Sequence, residues 1–134
     1  MFFLYQTILT LIIIISPIII LIRILKNKED KKRFFEKFCF FSKKRGKGKL
    51  IWFHGSSVGE ILSIIPIIEK YELKKSVDKI LVTSSTLSSS KVLNKFKFKK
   101  TIHQFYPIDH FFFTSKFLVY WKPDLAMFVE SEIW

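Results

Sequence analysis

The chain has 134 residues, 49% hydrophobic and 17% aromatic, and its 23 lysines and arginines against 11 acidic residues give a formal charge of +12. A single cysteine, Cys39, excludes an intrachain disulfide and any cysteine-built metal site, and it fits a reducing compartment. The basic excess suits anionic partners, but no nucleic-acid-binding signature accompanies it, so nucleic acid is not an expected partner.

Phe2 to Ile22 carries no charged residue. At about 1.5 Å per residue this run reaches across the roughly 30 Å hydrocarbon core of a bilayer. A cleavable signal peptide has a shorter apolar stretch and a small-residue cleavage site, whereas here Arg23, Lys26 and Lys28 follow directly. Residues 1–22 are therefore predicted to be a retained single-pass anchor, kinked at Pro17. The alternative, a buried core helix, lacks the polar face such a helix shows. Every charged residue follows the anchor, so the positive-inside tendency places the bulk of the chain in the cytoplasm.

Residues 23–49 form a basic juxtamembrane segment with Phe34, Phe35, Phe38, Phe40 and Phe41 among the lysines. It reads equally as an interfacial amphipathic stretch, its lysines meeting lipid phosphates, or as a short helix packing its phenylalanines on a domain. Gly46 and Gly48 precede a predicted strand, so they are not a dinucleotide fingerprint, which follows one.

From residue 50 strands and helices alternate. Strands are predicted at Leu50 to His54, Lys79 to Thr83, Thr101 to Tyr106 and Asp124 to Val129. Helices are predicted at about Val58 to Tyr71, at Leu87 to Phe96, and from Pro107 and Asp109 through Tyr120. This is an α/β pattern with a parallel sheet covered by helices. Ligands of such sheets bind at the carboxyl ends of the strands. Those ends read His54-Gly55-Ser56-Ser57, Thr83-Ser84-Ser85-Thr86, Tyr106-Pro107-Ile108-Asp109 and Glu130-Ser131-Glu132.

Ser57-Val58-Gly59-Glu60 matches a capping box, in which the serine oxygen meets a backbone N–H three residues on and the glutamate reaches back. The same position also suits a general base, a carboxylate at the mouth of a cleft. Gly55 and Gly59 would admit a substrate close to the backbone, and the helix start would favour an anionic group. His54, His103 and His110 show no metal-ligand spacing, so no metal is expected. Glu130 and Glu132, two apart on an extended chain, point the same way.

"IWFHGSSVGE", "YPIDHFFFTSKFLVYWKPDLAMFVESEIW" and the amino-terminal anchor together resemble the Kdo transferases, the 3-deoxy-D-manno-octulosonic acid transferases of lipopolysaccharide synthesis. The resemblance implies a membrane-anchored GT-B glycosyltransferase on the cytoplasmic face of the cell inner membrane, with a Rossmann-like amino-terminal half at residues 50–134. It would move Kdo from CMP-Kdo to the lipid A precursor (lipid IVA), with no cofactor beyond the donor. Glu60 would be the general base, and Glu130 or Glu132 would belong to the second acidic motif. His54, Gly55, Ser56, Ser57, Gly59, Thr83, Ser84 and Asp109 are the candidate substrate-binding residues.

Two departures stand out. Gly55-Ser56 occupies a place where the family more often has Ala-Ala or Ala-Val. The sequence also stops at Trp134, inside the second motif, so it reads as an amino-terminal fragment lacking the carboxyl-terminal domain that binds CMP-Kdo, and it is expected to be inactive alone. Two other readings stay open: a non-enzymatic membrane-associated module binding anionic lipid, and another membrane-anchored GT-B glycosyltransferase.

Overall fold

Strand β1, Leu50–Gly55, is buried along its whole length, as expected of an unbroken apolar strand covered from both sides. The structure is a computed structural model that describes residues 1–129. Strands β2 (Lys79–Ser84), β3 (Thr101–Phe105) and β4 (Leu125–Val129) join β1 in one parallel sheet of order β3-β2-β1-β4. The chain is therefore α/β, as the alternating pattern requires.

Alternate residues of β1 feed two cores. Ile51 and Phe53 pack with Ile61, Ile64, Ile65 and Ile68 of helix α2 (Val58–Glu72). Leu50 and Trp52 pack on the other face with Phe117 and Trp121 of helix α4 (Phe111–Trp121). Helix α3 (Leu87–Leu93) shares the α2 side through Leu93. It ends before Phe96 because Lys95 and Phe96 close tighter i−3 turns onto Val92 and Leu93, which brings Phe96 and Phe98 onto the core.

The strand order has a positional consequence. The chain builds outward from β1 to β2 and β3, then crosses to the opposite side of β1 to lay down β4. The order reverses between β1 and β4, and ligands of open α/β sheets bind in the crevice beyond such a switch point. "HGSSVGE" begins there.

Helix α1 (Phe2–Leu25) is long and apolar enough to cross a membrane, by length and composition alone. Pro17 removes the N–H that would meet the Ile13 carbonyl, and the Ser16 hydroxyl donates to that carbonyl instead (2.6 Å). Near its start, the Tyr5 hydroxyl donates to Asp109 Oδ2 (3.0 Å).

Between α1 and β1, residues Phe34–Phe38 form a 3-10 turn that docks on β3. Glu36, fully buried, holds Arg33 by two hydrogen bonds of 2.8 Å, accepts from Phe105 N–H (3.0 Å) and is also met by the Ser42 hydroxyl. Phe38 meets Phe113 edge-on, and Phe41 stacks on Tyr120. Packing thus accounts for those two aromatics, while Phe35 and Phe40 remain exposed. Cys39 closes the turn with φ +57°, its thiol donating to the Phe113 carbonyl (3.0 Å).

Candidate functional site

Gly55, the last residue of β1, runs straight into the start of α2. A Cβ there would lie 3.1 Å from Glu60 Cβ and 3.3 Å from Ile61 Cδ1, so the close approach of helix to strand favours glycine. At Gly59 a Cβ would meet nothing within 4 Å, which leaves open space beside the first turn.

Ser57 is the N-cap of α2, and its Oγ accepts the Glu60 N–H (3.2 Å). Glu60 Oε2 in turn accepts from the N–H groups of Ser56 (2.6 Å) and Ser57 (3.4 Å). The capping box is complete. It uses one carboxylate oxygen, however, and among the described residues no hydrogen-bond partner reaches Oε1. Desolvation pushes the Glu60 carboxyl up, but the Ser56 and Ser57 backbone donors, the Ser57 side chain and the nearby His54 outweigh it and hold it below the usual carboxylate range. Glu60 is therefore ionised at neutral pH.

His54 stands beside this carboxylate. Its Nδ1 lies 2.9 Å from Thr83 Oγ1, its Nε2 3.3 Å from Ser56 Oγ, and its ring packs on Tyr106 with centroids 4.1 Å apart. The buried Thr83 hydroxyl also accepts the Trp52 indole N–H (2.8 Å). One hydroxyl on β2 thereby fixes both an indole of the inner core and an imidazole at the strand end. Ser89, at the start of α3, reaches the Ser56 carbonyl (3.4 Å).

Among the candidate residues, His54, Gly55, Ser56, Ser57, Gly59, Glu60 and Thr83 fall in one group at the β1 end. Ser84 and Asp109 are engaged elsewhere. The buried Ser84 Oγ lies 2.8 Å from His103 Nε2, and Asp109 bonds Tyr5. Arg33 Nη2 donates to His103 Nδ1 (3.2 Å), which leaves Nε2–H as the donor to Ser84. Burial, and then the Arg33 charge, bring His103 down to about 3, so it is neutral at physiological pH. Glu130 and Glu132 lie outside the described residues; Val129, before them, pairs with Gly55. Tyr106 belongs to the strand-end group read from sequence, whereas Trp52 and Ser89 were not singled out, since an aromatic in a strand or a serine in the first turn of a helix carries no local mark of the site it adjoins.

Residues 32–134 match the family model described as 3-deoxy-D-manno-octulosonic-acid transferase (kdotransferase). The chain belongs to this family. It is similar to the 3-deoxy-D-manno-octulosonic acid transferase of Rickettsia bellii, 40% identical over 98% of the chain and 31% of that protein. It is also similar to the Rickettsia felis enzyme of the same name, 33% identical over 100% of the chain and 39% of that protein. A probable mitochondrial 3-deoxy-D-manno-octulosonic acid transferase of Arabidopsis thaliana is 37% identical over 90% of the chain and 28% of that protein. The chain thus spans about a third of the length of these Kdo transferases. No solved structure matches it. The Kdo transferase match takes in the Arg33–Glu36 pair with the whole sheet, and α1 lies before it.

Proposed function

We propose that this chain is the acceptor-side, Rossmann-like half of a GT-B Kdo transferase in lipopolysaccharide synthesis, with the donor-binding half supplied by further polypeptide. The complete protein moves Kdo from CMP-Kdo to a hydroxyl of the lipid A precursor lipid IVA, and no cofactor joins that donor. The reading rests on one observation: at the switch point of a Kdo transferase family sheet, Glu60 has one oxygen pinned by two backbone donors and the other without a partner among the described residues.

In this reaction Glu60 Oε1 takes the proton of the acceptor hydroxyl while that oxygen attacks the anomeric carbon of Kdo, and the bond to CMP breaks with its electron pair leaving on the phosphate. A carboxylate held ionised is ready to accept a proton but is a weak base, so proton transfer accompanies C–O bond formation rather than preceding it. Pinning Oε2 fixes the direction from which Oε1 meets the acceptor. His54, with Ser56 and Ser57, lines the approach, and Glu130 or Glu132 contributes a second carboxylate.

The same reading makes α1 the inner-membrane anchor, with the sheet on the cytoplasmic side. Its fifteen leucines, isoleucines and phenylalanines between Phe2 and Ile22 favour insertion by on the order of 5 kcal/mol. Against this stands the Tyr5–Asp109 hydrogen bond, which is exposed and replaceable by water. Insertion wins that comparison.

The test is Glu60→Gln in the full-length protein, assayed with CMP-Kdo and tetra-acylated lipid A precursor by mass spectrometry of the product. Glutamine can serve the capping box but cannot remove a proton. The expected result is unchanged thermal stability with transfer lowered by roughly 10²–10⁴-fold. Retained transfer would reduce Glu60 to a helix cap, and no Kdo transfer by the unaltered protein would overturn the whole reading.

A further inference from the structure

A groove of about 720 Å³ opens at the amino-terminal edge of the sheet, across the molecule from His54 and Glu60. Its walls are the 41–48 loop, which leads into β1, and the end of α4, which leads into β4. Four cations line it, Arg45, Lys47, Lys116 and Lys122, over a floor that includes the stacked pair Phe41 and Tyr120 (3.8 Å, 4°). No acidic side chain among the described residues lines the groove.

The framework is tied in place. Tyr120 Oη donates to the Lys43 carbonyl (2.8 Å), which anchors the loop to α4. Arg45 donates to the carbonyls of Gly48 (3.0 Å) and Lys122 (3.3 Å), so it joins the two walls and offsets the negative end of the α4 dipole. Two carboxylates stand beside the walls: Asp124 lies 3.9 Å from Arg45, and Asp78, next to Gly48, accepts the Lys49 N–H (2.7 Å). Lys47, Lys116 and Lys122 meet no carboxylate within 4 Å among the described residues, and the Lys116 ammonium sits 5.0 Å over the Phe40 ring. Three unneutralised ammonium groups around one built groove favour an anion.

The surroundings select the kind of anion. Phe112, Lys116 and Val119 follow one another at i, i+4 and i+7 on the outer face of α4, with Phe112 61% and Val119 69% exposed. Phe40 beside them is 60% exposed. A small, fully hydrated anion would gain nothing from this apolar margin, whereas an amphiphile uses both parts. Alternating lysine and exposed aromatic groups also mark elements that lie in a headgroup layer.

We infer that this groove binds the phosphate headgroup of an anionic phospholipid, with Lys47, Lys116 and Lys122 on the phosphate and the Phe40 and Val119 margin on the upper acyl chains. The inference does not depend on the transferase reading, because the groove and the His54–Glu60 group are at opposite edges of the sheet. It also gives α4 a fixed face toward the bilayer.

The test uses native mass spectrometry of the full chain in neutral detergent, titrated separately with dioleoylphosphatidylglycerol, dioleoylphosphatidylcholine and glycerol 3-phosphate. The triple variant K47Q/K116Q/K122Q is compared with a charge-matched control, K70Q/K75Q/K91Q, on the opposite layer. Phosphatidylglycerol should bind the parent and the control alike and bind the groove variant roughly tenfold or more weakly, as expected for three lysines facing a phosphate. The variant lysines are on the surface, and an unchanged thermal melt verifies its fold. Equal loss in groove variant and control, equal binding of phosphatidylcholine, or binding of glycerol 3-phosphate as tight as that of phosphatidylglycerol would each overturn the inference.

Discussion

Glu36→Ala should be among the most damaging single substitutions in this chain. The carboxylate is fully buried and serves four donors: Arg33 Nε, Arg33 Nη2, the Phe105 N–H and the Ser42 hydroxyl. Alanine leaves the Arg33 guanidinium facing the Phe105 ring and the His103 carbonyl without its counter-charge, and it leaves a backbone N–H of β3 unsatisfied. Removing one partner of a buried ion pair costs about 3–5 kcal/mol, because the remaining charge stays desolvated. A domain is stabilised by only about 5–15 kcal/mol in total, so this is a large share. Guanidinium unfolding of the full chain in detergent, followed by tryptophan fluorescence, reads the effect through the buried Trp52 and Trp121. Glu36→Gln keeps the size and some acceptor capacity and should fall between parent and alanine. A loss below about 1 kcal/mol for Glu36→Ala would refute the assignment of this pair as the lock between the 3-10 turn and the sheet.

Ser57→Ala removes the α2 cap and should cost about 1 kcal/mol in thermal or denaturant stability, with transfer by the full-length protein changed far less than in Glu60→Gln. Thr83→Val takes away the acceptor of the buried Trp52 indole N–H and one contact of His54, and should cost about 1–3 kcal/mol in the same unfolding assay. His103 titrates near 3 when folded and near its ordinary 6.5 when unfolded, so below 6.5 the unfolded chain binds the extra proton and stability falls as pH falls towards 3. His103→Gln should flatten that dependence, the difference from the parent reaching about 2 kcal/mol by pH 5 in parallel denaturation curves.

What was legible in the sequence was local. The run Leu50 to Gly55 is apolar at every second position on both faces, which describes a strand covered on two sides, and Ser57 with Glu60 spells its own cap. Strand ends shifted by a residue or so, as at β3, which ends at Phe105 although the Tyr106 N–H still donates to the Ser84 carbonyl (2.9 Å). The pairings that cross the chain were not legible. Ser84 looked like a strand-end ligand, and its partner His103 lies on the neighbouring strand. Asp109 looked the same and bonds Tyr5, 104 residues away. Arg33 and Glu36 disappeared into a run of lysines and phenylalanines, although their i, i+3 spacing already allows an ion pair on one helical face.

The single thiol has a practical consequence. Cys39 is 1% exposed, and burial pushes it up to about 11 despite the opposing pulls of the Lys116 charge and a backbone hydrogen bond from Phe117. At neutral pH it is almost entirely protonated and shielded from alkylating reagents. A new cysteine can therefore be introduced on the surface and labelled selectively in the native background, with no need to remove the natural one. Conversely, the rate at which Cys39 itself becomes reactive times the separation of the 3-10 turn from α4, a clock built into the chain for measuring how often that joint opens.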